Sequence, residues 1–166
     1  MPGVYKVTEI VGTSPVSFAE AVKAGAKILF GGGRRGSFMM PTVLTDVPVE
    51  AHLFKDETFG PVAPLVAFST EDEAVRMAND SPFGLQAAVF TNDIARAMNM
   101  AYRLEVGGVI VNWSSALRAE NLPFGGTKAS GYGREGLHDT LVEMTEQKVI
   151  LFHNALSVYD AGQAGA

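Results

Sequence analysis

The chain has 166 residues, of which 47% are hydrophobic and 19% charged, a composition typical of one ordinary globular domain. Its formal net charge of -5 argues against nucleic acid as a primary partner. It contains no cysteine, which excludes disulfides, Cys-ligated metal sites and a thiolate nucleophile supplied by these residues, and which is compatible with the cytoplasmic location that we expect.

The N-terminal part of the chain predicts a strand followed by a helix. Residues 4–11 are rich in β-branched side chains and stop at Gly12. Ser17 and Glu20 have capping-box spacing, and Gly25 suits a helix C-terminus. Neither a signal-like N-terminus nor an apolar run of about 20 residues is present, so we expect no contact with a membrane.

A glycine-rich segment follows the short apolar strand predicted over residues 27–30. Residues 31–36 satisfy the spacing G-x-G-x-x-G, which in dinucleotide-binding proteins opens a helix onto the pyrophosphate. Residues 37–41 have an extended pattern and end in a proline, so no helix opens there. A surface hairpin is the interpretation that we favour over a phosphate site.

Strands and helices alternate from residue 61 onward, which predicts an α/β fold with a mainly parallel sheet and crossover helices. Thr70 has capping-box spacing to Glu73, and either Asn92 or Asp93 caps the next helix. A last helix is predicted around residues 137–144, and residues 154–166 form a small, polar tail. The predicted strands lie at residues 62–68, 85–90, 109–111 and 149–152.

The segment 56–62 is the first candidate for chemistry. Glu57 and Phe59 are two residues apart on extended backbone and therefore point the same way, beside a turn at Gly60 and Pro61. A carboxylate and a ring so placed suit hydroxyl groups and a flat heterocycle. The alternative is a solvated acid beside a core phenylalanine, and chemistry alone favours this alternative.

A long glycine-rich loop covers residues 121–136. Lys128 does not precede a helix at Walker-loop spacing, so phosphate binding is not expected. Trp113 either lines a pocket or fills a core edge, and Arg118 either meets an acidic substrate group or is a surface residue. The three histidines have no partners at metal-ligand spacing, and we predict no metal site; they are His52, His138 and His153.

Five ordered motifs resemble NAD(P)-dependent aldehyde dehydrogenases. They lie at residues 36–44 (GSFMMPTVL), 55–62 (KDETFGPV), 79–93, 107–112 (GGVIVN) and 122–135 (LPFGGTKASGYGRE). The resemblance covers about residues 18–153 and implies the C-terminal part of that family's catalytic domain together with its closing strand.

The resemblance also implies roles for individual residues. Glu57 matches the glutamate that holds the nicotinamide ribose hydroxyls, and Phe59 matches the phenylalanine beside the nicotinamide ring. Phe124 matches the phenylalanine that lines the aldehyde pocket, and we place Trp113 in the same substrate pocket. NAD(P) is therefore the implied cofactor, with weak or no binding expected in this chain.

The departures from the family are as informative as the matches. The family reaction uses a cysteine thiolate, a glutamate base and a Rossmann domain, and none of the three is found in this sequence. We therefore assign no catalytic residue and expect no activity from these residues alone. A partner chain carrying the missing half is one possibility that this sequence leaves open.

Two further expectations concern the ends of the chain. Residues 1–17 form a separate unit whose segment 4–17 resembles dodecins, although no flavin binding follows, since the flavin-stacking tryptophan strand has no counterpart. The last strand, from Lys148 to Phe152, occupies the place of the family's strand that pairs across subunits. This predicts a homo-oligomer, and an assembly module built by strand addition is the alternative function.

Overall fold

The computed structural model describes residues 15–153, so the predicted strand 4–11 and the tail 154–166 lie outside the described residues. The described part contains five helices: Pro15–Lys23 (α1), His52–Lys55 (α2), Glu71–Asn79 (α3), Ile94–Arg103 (α4) and Leu137–Glu143 (α5). Its strands are Lys27–Phe30 (β1), Arg34–Arg35 (β2), Phe38–Met39 (β3), Thr42–Thr45 (β4), Val62–Pro64 (β5), Phe83–Gly84 (β6), Gln86–Val89 (β7), Gly108–Val111 (β8) and Thr127–Lys128 (β9). None of these helices is long and apolar enough to cross a membrane.

The first core lies between helix α1 and a three-stranded sheet. The strand order of this sheet is β1-β4-β5. Strand β4 is antiparallel to β1 and parallel to β5. Because the apolar side chains of α1 face this sheet, they share one core with it. The buried members of this core are Ala21, Ala26, Leu44, Val47, Leu53 and Val62.

The sequence predicts the C-terminal end of α1 correctly but not its start. Gly25 ends the turn after the helix with a φ of 112°, as predicted, and the Ala26 amide donates to the Ala21 carbonyl at 2.9 Å. The predicted start was wrong, because Ser17 lies inside the helix rather than at its cap. Pro15 begins the helix instead, since its fixed φ suits the first helical position.

The glycine-rich segment forms a hairpin, as expected. Strands β2 and β3 pair in antiparallel register, with Arg34 opposite Met39 and Arg35 opposite Phe38. Gly36 turns the chain between them with a φ of 60°. No helix opens after the glycines, so the backbone geometry of a dinucleotide-binding loop is not formed at this place.

The second core lies around α3, α4 and the parallel pair β7/β8, which α4 connects. Its buried apolar members are Val75, Val89 and Met100. The Thr70 hydroxyl accepts from the Glu73 amide at 3.1 Å, which confirms the predicted cap of α3. Of the two candidates for α4, the Asp93 carboxylate is the cap, since it accepts from the Ala95 and Arg96 amides.

The predicted fold class is confirmed as mixed α/β, but the single mainly parallel sheet was wrong. The described strands form four small sheets, in which only β4/β5 and β7/β8 are parallel. The strand predicted over residues 62–68 ends at Pro64, and one more hydrogen bond follows it, from the Leu65 amide to the Leu44 carbonyl at 2.7 Å. The strand predicted over residues 85–90 is shortened to β7, because the chain before it turns aside as β6 to pair with β9.

The strand predicted at residues 149–152 is absent from the described chain. A strand requires a neighbouring strand for its backbone hydrogen bonds, and this segment has no ladder partner among residues 15–153. Its four apolar side chains are 67–88% exposed: Val149, Ile150, Leu151 and Phe152.

Candidate functional site

Glu57 and Phe59 lie in the loop between α2 and β5. Both side chains are exposed, Phe59 to 52%, whereas Thr58 is half-buried and Gly60 is buried. The Thr58 hydroxyl donates to the Leu53 carbonyl at 3.3 Å and holds the loop against α2. This alternation matches the extended-backbone pattern in the sequence and leaves a carboxylate and a ring accessible from outside the chain.

The turn after Phe59 is fixed to the three-stranded sheet. The Val62 amide donates to the Gly60 carbonyl at 2.7 Å, and the Thr42 amide donates to the Pro61 carbonyl at 2.6 Å. The loop that carries Glu57 and Phe59 therefore has one end anchored to β4 and the other end on α2.

His52, the first residue of α2, forms an ion pair with Asp56, which follows the last residue of α2 and precedes Glu57. His52 Nδ1 lies 2.7 Å from Asp56 Oδ2, with both side chains mostly exposed. The hydrogen bond to Asp56 and its charge, with a smaller contribution from Glu20, raise the pKa of His52 above its ordinary value of 6.5. Desolvation and the charge of Lys55 oppose this shift but do not reverse it.

Replacing Asp56 with asparagine is expected to lower the pKa of His52 toward its ordinary value, since the main cause of the shift is lost. In the unchanged chain this pair stabilises the fold fully below about pH 6.5, and the contribution disappears as the pH rises through the raised pKa. Proton NMR titration of the His52 ring measures its pKa in the unchanged chain, in Asp56→Asn and in the control. Asp139→Asn, which removes a carboxylate from α5 instead, is the control; an equal pKa in all three chains would contradict the assignment.

Phe124 forms a small cluster with Arg118 and Glu135. Backbone hydrogen bonds join Phe124 and Glu135 in both directions, at 2.7 and 2.6 Å. The Arg118 guanidinium carbon lies 4.7 Å from the centre of the Phe124 ring, and Arg118 also donates to the Glu135 carboxylate at 2.7 Å. Arg118 is thus engaged within the chain, an arrangement that its position in the sequence did not reveal.

Trp113 follows β8 and is 63% exposed, so it does not fill a core edge. Asn112, directly before it, has a φ of 58° and exchanges two hydrogen bonds with the backbone of Thr91, at 2.8 and 2.9 Å. Asn112 therefore fixes where the chain leaves β8. Sequence reasoning missed this residue, although asparagine after a strand is typical of such a turn.

The glycine-rich loop is tied to the second core by what we call the clasp: Thr127, Lys128 and Ser130. Lys128 Nζ donates to the carbonyls of Asn79 and Ser81, at the end of α3. The Thr127 hydroxyl donates to the Glu105 carbonyl at 2.9 Å, and Ser130 accepts from the Gly84 amide at 2.9 Å. Lys128 therefore caps a helix C-terminus, a structural role that suits its position far from any helix N-terminus.

The four predicted site residues fall into two groups. Glu57 and Phe59 lie in the loop that leads into β5 of the three-stranded sheet, whereas Trp113 and Phe124 lie beyond β8. Within residues 15–153 there is no group of three His, Asp or Glu side chains able to hold a metal ion.

Comparison with known proteins identifies the family. The aldehyde dehydrogenase family model matches residues 16–150. This chain belongs to the aldehyde dehydrogenase family. A dodecin family model also matches residues 4–27, a much shorter stretch.

Curated members of the family are similar to this chain over 81% of its length. The lactaldehyde dehydrogenase of Methanococcus maripaludis strain C7 is 47% identical over 135 residues, and the 3-sulfolactaldehyde dehydrogenase of Priestia megaterium is 46% identical over 134 residues. The chain spans 29% and 28% of the length of these two relatives.

Solved family members have the same fold over the matched part. Aldehyde dehydrogenase 21 from Physcomitrella patens, in complex with succinate, superposes with a TM-score of 0.81 at 45% identity, covering 84% of this chain and 29% of that one. Glyceraldehyde-3-phosphate dehydrogenase from Methanocaldococcus jannaschii, complexed with NADP, gives a TM-score of 0.76 at 42% identity, covering 81% and 29%.

Proposed function

We propose that this chain supplies the cofactor-side and substrate-side walls of an aldehyde dehydrogenase site, whose thiolate comes from outside these 166 residues. The observation that carries this proposal is the absence of cysteine from a chain that belongs to the family and contains five of its ordered motifs. In the family reaction a thiolate attacks the aldehyde, a hydride passes to NAD(P), and activated water releases the acid. These residues alone therefore lack the nucleophile and are inactive.

The residues present fit a nicotinamide nucleotide. The exposed Glu57 carboxylate is an acceptor for two ribose hydroxyls, and the exposed Phe59 ring is a flat surface for the nicotinamide. Phe124, held by Arg118 and Glu135, limits the space for the aldehyde side chain. Since Arg118 is already paired with Glu135, we propose no anion-binding role for it.

The exposed apolar surface on and around α5 favours an interface with a second polypeptide. Leu137, Leu141 and Met144 are mostly exposed, and Tyr132 in the preceding loop is fully exposed. Apolar surface of this extent on one element is typical of an interface. We propose that the polypeptide that carries the thiolate covers this surface.

Reconstitution tests the proposed function. The upstream segment of a complete family member, ending where its match to this chain begins, is co-expressed with the chain, and reduced cofactor is followed at 340 nm with an aldehyde and NAD or NADP. We expect no turnover from the chain alone and turnover from the mixture. In the mixture, Glu57→Gln is expected to lower kcat/KM by about 10- to 100-fold, the effect of losing one or two charged hydrogen bonds.

Two variants provide the controls. Glu20→Gln removes an exposed carboxylate from α1 and should leave turnover of the mixture unchanged. Cysteine-to-serine replacement in the upstream segment should abolish it. If the chain alone oxidised an aldehyde faster than its Glu57→Ala variant, the proposal that it is inactive by itself would be wrong. If the two parts co-purified but the mixture were inactive, the proposal that this chain forms walls of the site would be wrong.

Assembly through the C-terminal segment is a second candidate function. The specific observation is the run of four exposed apolar residues at 149–152, which has no ladder partner in the described chain. Such an edge pairs readily with a strand of another chain. Sedimentation should therefore show a homo-oligomer at micromolar concentration that Ile150→Lys weakens, whereas a monomer in the unchanged chain would rule this function out.

A further inference from the structure

Helix α2 is too short to be stable through its own backbone alone. It has four residues, His52–Lys55, and no side chain caps its start at Ala51. Helices of this length do not persist in water unless tertiary contacts hold them. One such contact is Leu53, which is buried in the first core. The loop that carries Glu57 leaves from the C-terminal end of this helix, so its direction depends on how that end is held.

Two residues of this loop are tied back to α2, one on each side of Glu57. The Asp56 amide donates to the His52 carbonyl at 2.8 Å, and Asp56 Oδ2 lies 2.7 Å from His52 Nδ1. The Thr58 hydroxyl donates to the Leu53 carbonyl at 3.3 Å. Asp56 is therefore held by its backbone and by its side chain, and His52 is the partner in both bonds.

The extended backbone at Asp56 turns these ties into a constraint on Glu57. Asp56 has a φ of -96° and a ψ of 156°, and neighbouring side chains on extended backbone point in opposite directions. The side chains of Asp56 and Thr58 bond to α2. Glu57 and Phe59, which alternate with them, are exposed. If the Asp56 carboxylate turned away from His52, one of the two ties would be lost and a second unpaired negative charge would lie beside Glu57.

The charge of His52 adds to this hold. The charged groups that act on the ring are Asp56 and Lys55, at the end of α2, and Glu20 on α1, which packs against α2. The hydrogen bond and the two carboxylates outweigh the Lys55 ammonium group, so the pKa of His52 lies above 6.5. Protonated His52 holds Asp56 through charge and hydrogen bond together, whereas the neutral ring retains at most the hydrogen bond.

We propose that His52 is a positioning residue for the nicotinamide-ribose contact: it holds Asp56 against α2, and this fixes the direction from which Glu57 meets the cofactor. The role deepens the proposed function and rests on it, because the direction of Glu57 matters only if Glu57 binds the ribose. Affinity for NAD(P) is then highest while His52 is protonated, and it falls as the pH rises through the pKa of His52.

Kinetics of the reconstituted mixture test this role with two replacements at one position. His52→Ala removes the ring, whereas His52→Asn keeps an amide N–H near the place of Nδ1 and carries no titratable group. We expect His52→Ala to raise the KM for NAD(P) about 2- to 5-fold with kcat unchanged, the effect of losing one exposed, charged hydrogen bond. His52→Asn should restore most of the affinity and should lack the rise in KM at high pH.

Lys27→Ala is the matched control. It breaks an exposed ion pair of similar length, between Lys27 and Asp46 at 2.8 Å, beside the three-stranded sheet. We expect both KM and kcat to stay as in the unchanged mixture. A lower kcat in His52→Ala, or an equal loss of affinity in His52→Asn, would indicate general structural damage and would overturn the proposal.

NMR relaxation of the chain alone separates this proposal from the proposed function, because it requires no turnover. Order parameters of the backbone amides at residues 56–59 should fall in His52→Ala and stay unchanged in His52→Asn and Lys27→Ala. Unchanged order parameters in His52→Ala would overturn the positioning role, and so would a loop that loses order while KM stays the same. A mixture without turnover would contradict the proposed function instead, and the order parameters would still decide whether His52 holds the loop.

Discussion

Replacing Gly107 with alanine is expected to lower the free energy of unfolding by at least about 3 kcal/mol or to prevent folding. A Cβ at this position would lie 1.6 Å from the carbonyl oxygen of Gly125 and 3.1 Å from that of Leu85. Both are backbone atoms, so no side-chain rotation relieves the overlap. The glycine-rich loop would have to separate from the start of β8.

Gly108→Ala is the matched control, one residue further along the same strand. The three atoms nearest to its added Cβ would all belong to the Gln86 side chain, at 3.5 Å and beyond, which is ordinary contact. We expect its free energy of unfolding to stay within about 1 kcal/mol of the unchanged chain. Urea unfolding followed by circular dichroism compares the two, and equal midpoints for both variants would contradict the close approach of Gly107 and Gly125.

Replacing Leu44 with alanine is expected to cost about 2–5 kcal/mol. Leu44 is fully buried in β4, the central strand of the three-stranded sheet, and it shares its core with Ala21 and Val62. The truncated side chain leaves a cavity between α1 and the sheet. Against a total stability of about 5–15 kcal/mol for a domain, this is a large fraction.

Leu137→Ala removes the same atoms from a side chain that is 72% exposed on α5. We expect a change within about 0.5 kcal/mol, because the site has little packing to lose. Urea unfolding of both variants gives the comparison. If Leu44→Ala were as mild as Leu137→Ala, the first core would not hold the sheet and α1 together.

Local features of this fold could be predicted from the sequence. The Thr70 and Asp93 caps and the Gly25 stop each depend on side chains within a few residues of the helix end. The number of sheets could not be predicted, because strand pairing depends on residues far apart in the chain. Phe83 pairs with Lys128, and that pairing diverts β6 away from the sheet of β7 and β8.

The candidate site likewise contains one feature that could be predicted from the sequence and one that could not. The shared outward direction of Glu57 and Phe59 follows from extended backbone over two residues. The pairing of Arg118 with Glu135, seventeen positions apart, depends on a backbone bridge that returns the chain to Phe124. Only the folded chain could therefore distinguish an engaged arginine from one available to a substrate.

The clasp has a consequence for motion near Phe124. Because Lys128 holds the end of α3 and Ser130 holds Gly84, the glycine-rich loop cannot detach without exposing carbonyls and amides of the second core. We therefore expect the loop and α3 to open together, despite the many glycines in the loop. We therefore expect hydrogen exchange of the loop beside Phe124 to be about as slow as that of α3.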